Sequence, residues 1–149
     1  MEHYYDVNVT WEADRQGVLS STVLPQTIDV ATPPEFPKGM AGIWSPEHLL
    51  VGAVSSCLMT TFLAIAENSK LEFKAFQCAA TGKLESIEGK YMISEIELKP
   101  MVTLKEGKDR DRAERIVQKA EAACLITNSI KSKVTMVTRI EVQHEAVTT

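Results

Sequence analysis

An α+β fold is what this chain of 149 residues predicts. Three observations carry that prediction. Residues 4–12 alternate apolar and polar side chains and run into a glycine-containing turn, as one arm of a hairpin does. Two later stretches, residues 46–68 and 108–124, have helical periodicity. The alternating and helical stretches follow the order β-β-β-α-β-β-α-β, which implies antiparallel hairpins and two main helices. No internal repeat, low-complexity tract or linker interrupts them, so residues 1–149 are expected to form one domain with a sizeable core.

In the first strand Tyr5, Val7, Val9 and Trp11 share one face, which predicts half-burial. Asp14-Arg15-Gln16-Gly17 is a turn signal, with Gly17 free to take positive φ. Residues 18–24 read as the return strand, and residues 27–31 as a further short strand. TPPEFPKGMAGIWSP, residues 32–46, is a loop by its prolines and glycines, yet it carries Phe36, Met40, Ile43 and Trp44. Such an apolar loop covers a core or walls a pocket.

Ser45-Pro46-Glu47 opens a helix, with Ser as N-cap, Pro in the first position and Glu at the positive end of the dipole. It is predicted to reach Asn68 and is apolar over most of its circumference, so one small domain has difficulty covering it. Residues 72–86 and 91–104 read as strands joined at Ile87-Glu88-Gly89-Lys90. In residues 108–124, Ala113, Ile116, Val117, Ala120 and Ala123 face one way. Residues 125–132 suggest a turn or short helix. Val134, Met136, Ile140 and Val142 mark a last strand.

Composition narrows function. The chain is 44% hydrophobic and 24% charged, which is a globular balance. A net charge of −4 argues against nucleic acid or an anionic membrane as the main partner. MEHYYDVNVTW lacks a basic stretch followed by an apolar one, so no signal peptide is expected. The longest apolar run is broken by Ser, Thr and Glu, so no membrane span of ~20 apolar residues is expected. Three cysteines without a CxxC pair do not make a disulfide framework, and a reducing, cytoplasmic setting is expected.

Cys57 and Cys124 both fall on helical segments and are followed by hydroxyl or amide side chains: Thr60 and Thr61, then Thr127, Asn128 and Ser129. On residue types alone packing is the default, because free cysteine behaves as a small buried hydrophobe. Cys78 sits beside Ala79 and Ala80 in a strand and reads as core. His3, His48 and His144 are scattered and lack metal-ligand spacing. His48 is nine residues from Cys57, more than two helical turns, which argues against a Cys–His pair. No HExxH, GxSxG, P-loop or GxGxxG occurs, so metal, phosphate-loop and serine-hydrolase readings have no motif to rest on.

The run SPEHLLVGAVSSCLMTTFLAIA, residues 45–66, resembles the first helix of the OsmC/Ohr family, with its Asn-Pro-Glu-x-Leu start and Ala-x-Cys end. KAEAACLITNSIKSKV, residues 119–134, resembles that family's second cysteine motif, and TWEADRQGVLSS, residues 10–21, fits its hairpin. The resemblance covers nearly the whole chain in order. It implies strongly bent antiparallel sheets wrapped around two central helices in an intertwined homodimer, with sites at the subunit interface. It implies a thiol peroxidase of small organic hydroperoxides, alkyl or lipid, acting in oxidative-stress defence. Cys57 would attack the peroxide and become a sulfenic acid, and Cys124 would resolve it. No cofactor would be bound; a small dithiol or lipoyl-type donor would supply electrons.

The same resemblance places the family's arginine and glutamate at Arg15 and Glu47. A guanidinium beside a thiol favours the thiolate, and a carboxylate can hold that guanidinium in a bidentate pair. Phe36, Met40, Ile43 and Trp44 would wall the substrate. Ser45 stands for the usual Asn, an N-cap exchange, and Ser55-Ser56 for an alanine-rich pair, which is expected to make the cysteine's surroundings more polar. Glu47 and Cys57 lie ten residues apart on one expected helix, which is ~15 Å along the axis and about 80° out of phase. An Arg15–Glu47 pair is therefore expected to meet Cys57 of the other subunit. Two other readings stand beside this one: a non-enzymatic, stress-related carrier of apolar ligands, and a thiol redox sensor.

Overall fold

The computed structural model describes residues 1–143. They form two compact units, one covering Met1–Leu50 and the other beginning at Val51. His144 lies outside the described residues.

In the first unit, β1 (Asn8–Ala13), β2 (Gln16–Ser21) and β3 (Leu24–Ala31) make an antiparallel sheet in that order. β1 begins later than its alternation suggested and is exposed along its whole length, Trp11 by 74%, where half-burial was expected. The tight turn falls at Asp14-Arg15, and Asp14, not Gly17, takes the left-handed φ of 49°. Gly17 sits inside β2. There a Cβ would come 2.6 Å from the Thr10 carbonyl oxygen, so glycine serves close strand approach. β3 is longer than predicted because Leu24 already pairs with Ser21.

The loop after β3 is tied back to it. Met40 N–H donates to the Thr32 carbonyl at 2.8 Å, and Ala31 N–H to the Trp44 carbonyl at 2.9 Å. These bonds satisfy backbone groups that a free loop would leave to water.

α1 (Pro46–Asn68) has the predicted bounds. Ser45 is buried, and its Oγ accepts the His48 backbone N–H at 3.1 Å, as an N-cap should. Against expectation, α1 is long and apolar enough by length and composition to cross a membrane. Its Ser and Thr residues do not lower the apolar average enough to prevent this. Val54, Leu58, Phe62 and Ala66 are buried, yet only 28% of its most apolar window is covered within the chain.

The second unit holds the core. β4 (Ala75–Ile87) and β5 (Lys90–Leu104) form a long antiparallel hairpin. Its two-residue turn, Glu88-Gly89, has φ of 52° and 79°, the doubly left-handed form that matches strand twist. A bulge interrupts the register between Lys83 and Leu84. α2 (Arg110–Ala123) buries Ala113, Ile116, Val117 and Ala120, as its period predicted; Ala123 is exposed because the helix ends there. These residues pack with the α1 face and with Ile96, Leu98, Val102 and Leu104 of β5. Phe62 stacks on Phe76 with ring centres 4.8 Å apart and meets Phe73 edge-on at 5.1 Å.

The last strand is two strands, β6 (Lys133–Met136) and β7 (Arg139–Val142), and both run parallel to β5. The antiparallel expectation fails here for a topological reason. The chain leaves β5, crosses through α2 and returns in the same direction, as a crossover connection requires.

Candidate functional site

α1 carries Cys57 on its fourth turn, half-exposed, and Cys124 follows α2 directly, 1% exposed. All three cysteines are free thiols. The helical stretch predicted through Cys124 stops one residue short. Cys124 takes an extended ψ of 110°, and its N–H donates to the Glu121 carbonyl at 3.2 Å. The chain then coils tightly: Asn128 N–H donates to the Cys124 carbonyl at 3.1 Å and Ser129 N–H to the Ile126 carbonyl at 3.0 Å. This turn presents backbone amides to Cys57.

The two thiols interact and their ionisation is driven apart. Burial pushes Cys57 up. The Ile126 amide, the Cys124 thiol, the Thr61 hydroxyl and the Leu125 amide outweigh it, and the pKa falls below the ordinary 9.0. For Cys124 burial dominates. The Thr127 side chain and amide favour its thiolate, the Cys57 sulfur opposes it, and the pKa rises above 9.0. Cys57 is thus the more readily ionised of the two thiols. A thiolate is the nucleophilic form of cysteine.

Sequence reasoning missed who surrounds Cys57. The Ser55 and Ser56 hydroxyls do not make its surroundings polar: they bond back to the carbonyls of Gly52 at 3.2 Å and Ala53 at 3.3 Å. Thr60 bonds to the Cys57 carbonyl at 3.2 Å. Thr61 faces the sulfur, 3.9 Å from Sγ. The four-residue spacing, which puts two side chains on one helical face, was the available signal.

Cys78, expected as core, packs against it only in part. Together with Pro100, Met101, Val137, Lys99 and Arg139 it lines an open cavity of about 540 Å³. Burial pushes its thiol up, against a smaller opposing effect of the Lys99 backbone.

Arg15 is exposed at the β1–β2 turn and, with Asp14, Lys38 and Met40, lines a cavity of about 570 Å³. Glu47 stands in the first turn of α1 with Oε2 buried and without a hydrogen-bond partner among the described residues. The ion pair expected between these two residues of the first unit is not formed. The expected substrate wall is divided. Met40 lies with Arg15, while Ile43 and Trp44 line a second cavity of about 310 Å³ with Gly42 and His48. His48 Nδ1 is 2.7 Å from Ser45 Oγ, and its ring meets Trp44 edge-on. Among the described residues no group of three or more His, Cys, Asp or Glu side chains is placed to hold a metal.

A fold of this topology with a cysteine on its long helix and a second beyond the next helix defines a protein class, and the comparisons name it. Residues 39–139 match the profile of the OsmC-like protein family, and the chain belongs to that family. The uncharacterised protein YmaD of Bacillus subtilis is 27% identical over 138 residues, 89% of this chain and 90% of that protein. Among solved structures, an OsmC-like protein of unknown function from Vibrio cholerae shares the fold. Its TM-score is 0.83 at 22% identity, over 92% of this chain and 99% of that one. An organic hydroperoxide resistance protein from Legionella pneumophila has a TM-score of 0.72 at 21% identity, over 95% and 100% of the two chains. One from Elizabethkingia anophelis has 0.74 at 19% identity, over 96% and 100%.

Proposed function

We propose that this chain is a cysteine-based peroxidase of organic hydroperoxides. The observation that carries the reading is the contact between two free thiols whose pKa values are displaced in opposite directions. Membership of the OsmC-like family, and a fold shared with two proteins named for organic hydroperoxide resistance, support it.

The Cys57 thiolate attacks the peroxide oxygen of ROOH and the O–O bond breaks. Cys57 becomes Cys–SOH and the other oxygen leaves, with a proton, as ROH. The Cys124 thiol then displaces water from the sulfenic acid and forms the Cys57–Cys124 disulfide. A dithiol of small-molecule or lipoyl type donates two electrons and two protons, regenerates both thiols and leaves as its own disulfide. No bound cofactor is required. Arg15 favours the thiolate and steadies the departing alkoxide, with Glu47 as its anchor.

The working unit is a homodimer in the cytoplasm. The exposed side chains of Tyr5, Val7, Val9, Trp11, Met59 and Leu63, and the incompletely covered α1, need a second copy to bury them. In that dimer Arg15 and Glu47 of one subunit, unpaired in the single chain, close their ion pair beside Cys57 of the other.

The test is dithiol-dependent consumption of cumene hydroperoxide and of hydrogen peroxide. Wild type is expected to favour the organic peroxide. Cys57→Ser is expected to lose the activity by at least about a hundredfold, as removal of a nucleophile does. A folded, reduced wild type that consumes neither peroxide would overturn the reading in favour of non-catalytic binding of an apolar ligand.

A further inference from the structure

Four hydroxyl side chains flank Cys57, and the helix backbone disposes of three of them. Ser55, Ser56 and Thr60 each donate to a carbonyl one turn back, the usual fate of such residues inside a helix. Thr61 stands four residues after Cys57, on the same face of α1. Its Oγ1 lies 3.9 Å from Cys57 Sγ. On the other side of the sulfur stand the backbone amides of Leu125 and Ile126 and the thiol of Cys124. That turn is held by the Asn128-to-Cys124 and Ser129-to-Ile126 backbone bonds, and Ile126 is anchored against the core. Every one of these donors is neutral. Beside Cys124 stands the Thr127 hydroxyl, itself buried, which favours that thiolate in turn.

We propose that Thr61 is a positioning residue. Its hydroxyl, together with the amides of the turn after Cys124, holds the Cys57 sulfur as a hydrogen-bond acceptor and so makes Cys57, not Cys124, the attacking thiol. The inference rests on the reading of Cys57 as nucleophile and adds what selects it. Two chemically identical groups in contact need an asymmetry to divide their roles. Each sulfur has a threonine hydroxyl beside it, and Cys57 adds to Thr61 the two amides of a fixed turn and a half-exposed position, where Cys124 is buried. Donors to the anionic form favour that form, and none of these donors titrates in the working range of pH except Cys124 itself.

The experiment reads the thiols directly, without peroxide. The reduced full-length protein is alkylated with iodoacetamide from about pH 6 to pH 10, and mass spectrometry follows Cys57 and Cys124 separately. Wild type is expected to alkylate Cys57 first at neutral pH. Thr61→Val, which keeps the shape and removes the hydroxyl, is expected to slow Cys57 about threefold at pH 7, the effect of a half-unit rise in thiol pKa, and to leave the rate unchanged once the thiol is fully ionised. Thr61→Ser should restore the wild-type profile. If Thr61→Val fails to fold, Thr61→Ala carries the same expectation on a smaller side chain. An unchanged profile in the variant, or a wild type that alkylates Cys124 first, overturns the proposal. Peroxide consumption is assayed on the same samples. Its absence with the expected profile would remove the peroxidase reading and leave the positioning role standing. Its presence with an unchanged profile would remove the positioning role alone.

Discussion

The first unit, Met1–Leu50, and the second, from Val51, are built on different terms. The second buries a continuous core of α1, α2 and β5 and carries both Cys57 and Cys124. The first is a three-stranded sheet whose β1 is exposed throughout, held by backbone hydrogen bonds and a tied-back loop, and it carries Arg15 and Glu47. The difference teaches where each part of the candidate chemistry gets its precision. The thiols are positioned by packing within one chain. The charged residues sit in the more exposed unit: Glu47 has a buried oxygen without a partner among the described residues, and Arg15 is exposed on its turn. A buried, unpaired carboxylate oxygen is costly.

The comparison breaks most visibly in the core. Phe62 is fully buried between Phe73 and Phe76, so Phe62→Ala is expected to cost about 3–5 kcal/mol, read from urea unfolding. A cost below about 1 kcal/mol would mean the core is not what holds the cysteine scaffold. In the first unit, Trp11→Ala removes a side chain 74% exposed. Its effect on a single chain should stay within about 0.5 kcal/mol. Its effect on association should be larger, and sedimentation across a dilution series should show dimers dissociating at higher protein concentration than wild type. Equal dissociation in both would detach β1 from the interface.

The smallest effect tests the second unit's third thiol. Burial holds the Cys78 pKa above the ordinary 9.0. The folded state then keeps a proton that the unfolded chain releases, so the contribution to stability is complete below about pH 9 and is lost as pH rises through the folded value. Cys78→Ala should flatten the alkaline decline in unfolding midpoint between about pH 8 and pH 10.5, and leave peroxide consumption unchanged. Cys57, with its lowered pKa, contributes with the opposite sign.

Much was legible in the residues. Ser45-Pro46 set the start of α1, Glu88-Gly89 set a hairpin turn, and the period of residues 110–120 named the buried face of α2. These are local choices: a cap, a left-handed pair, a repeat of 3.6. The cysteine motifs and their order were legible as well, and with them the family. What the sequence could not show is contact between segments distant in the chain. That β6 and β7 lie parallel to β5 depends on the path of the crossover. That Thr61 faces the sulfur while Ser55 and Ser56 bond back to the helix is a matter of placement in space. That the Cys57 and Cys124 thiols meet, one lowered and the other raised in pKa, depends on the turn after α2 closing against α1. Local propensity acts over a few residues and is written in order along the chain. Burial and hydrogen-bond donation act across space, and only the tertiary structure decides which sulfur receives them.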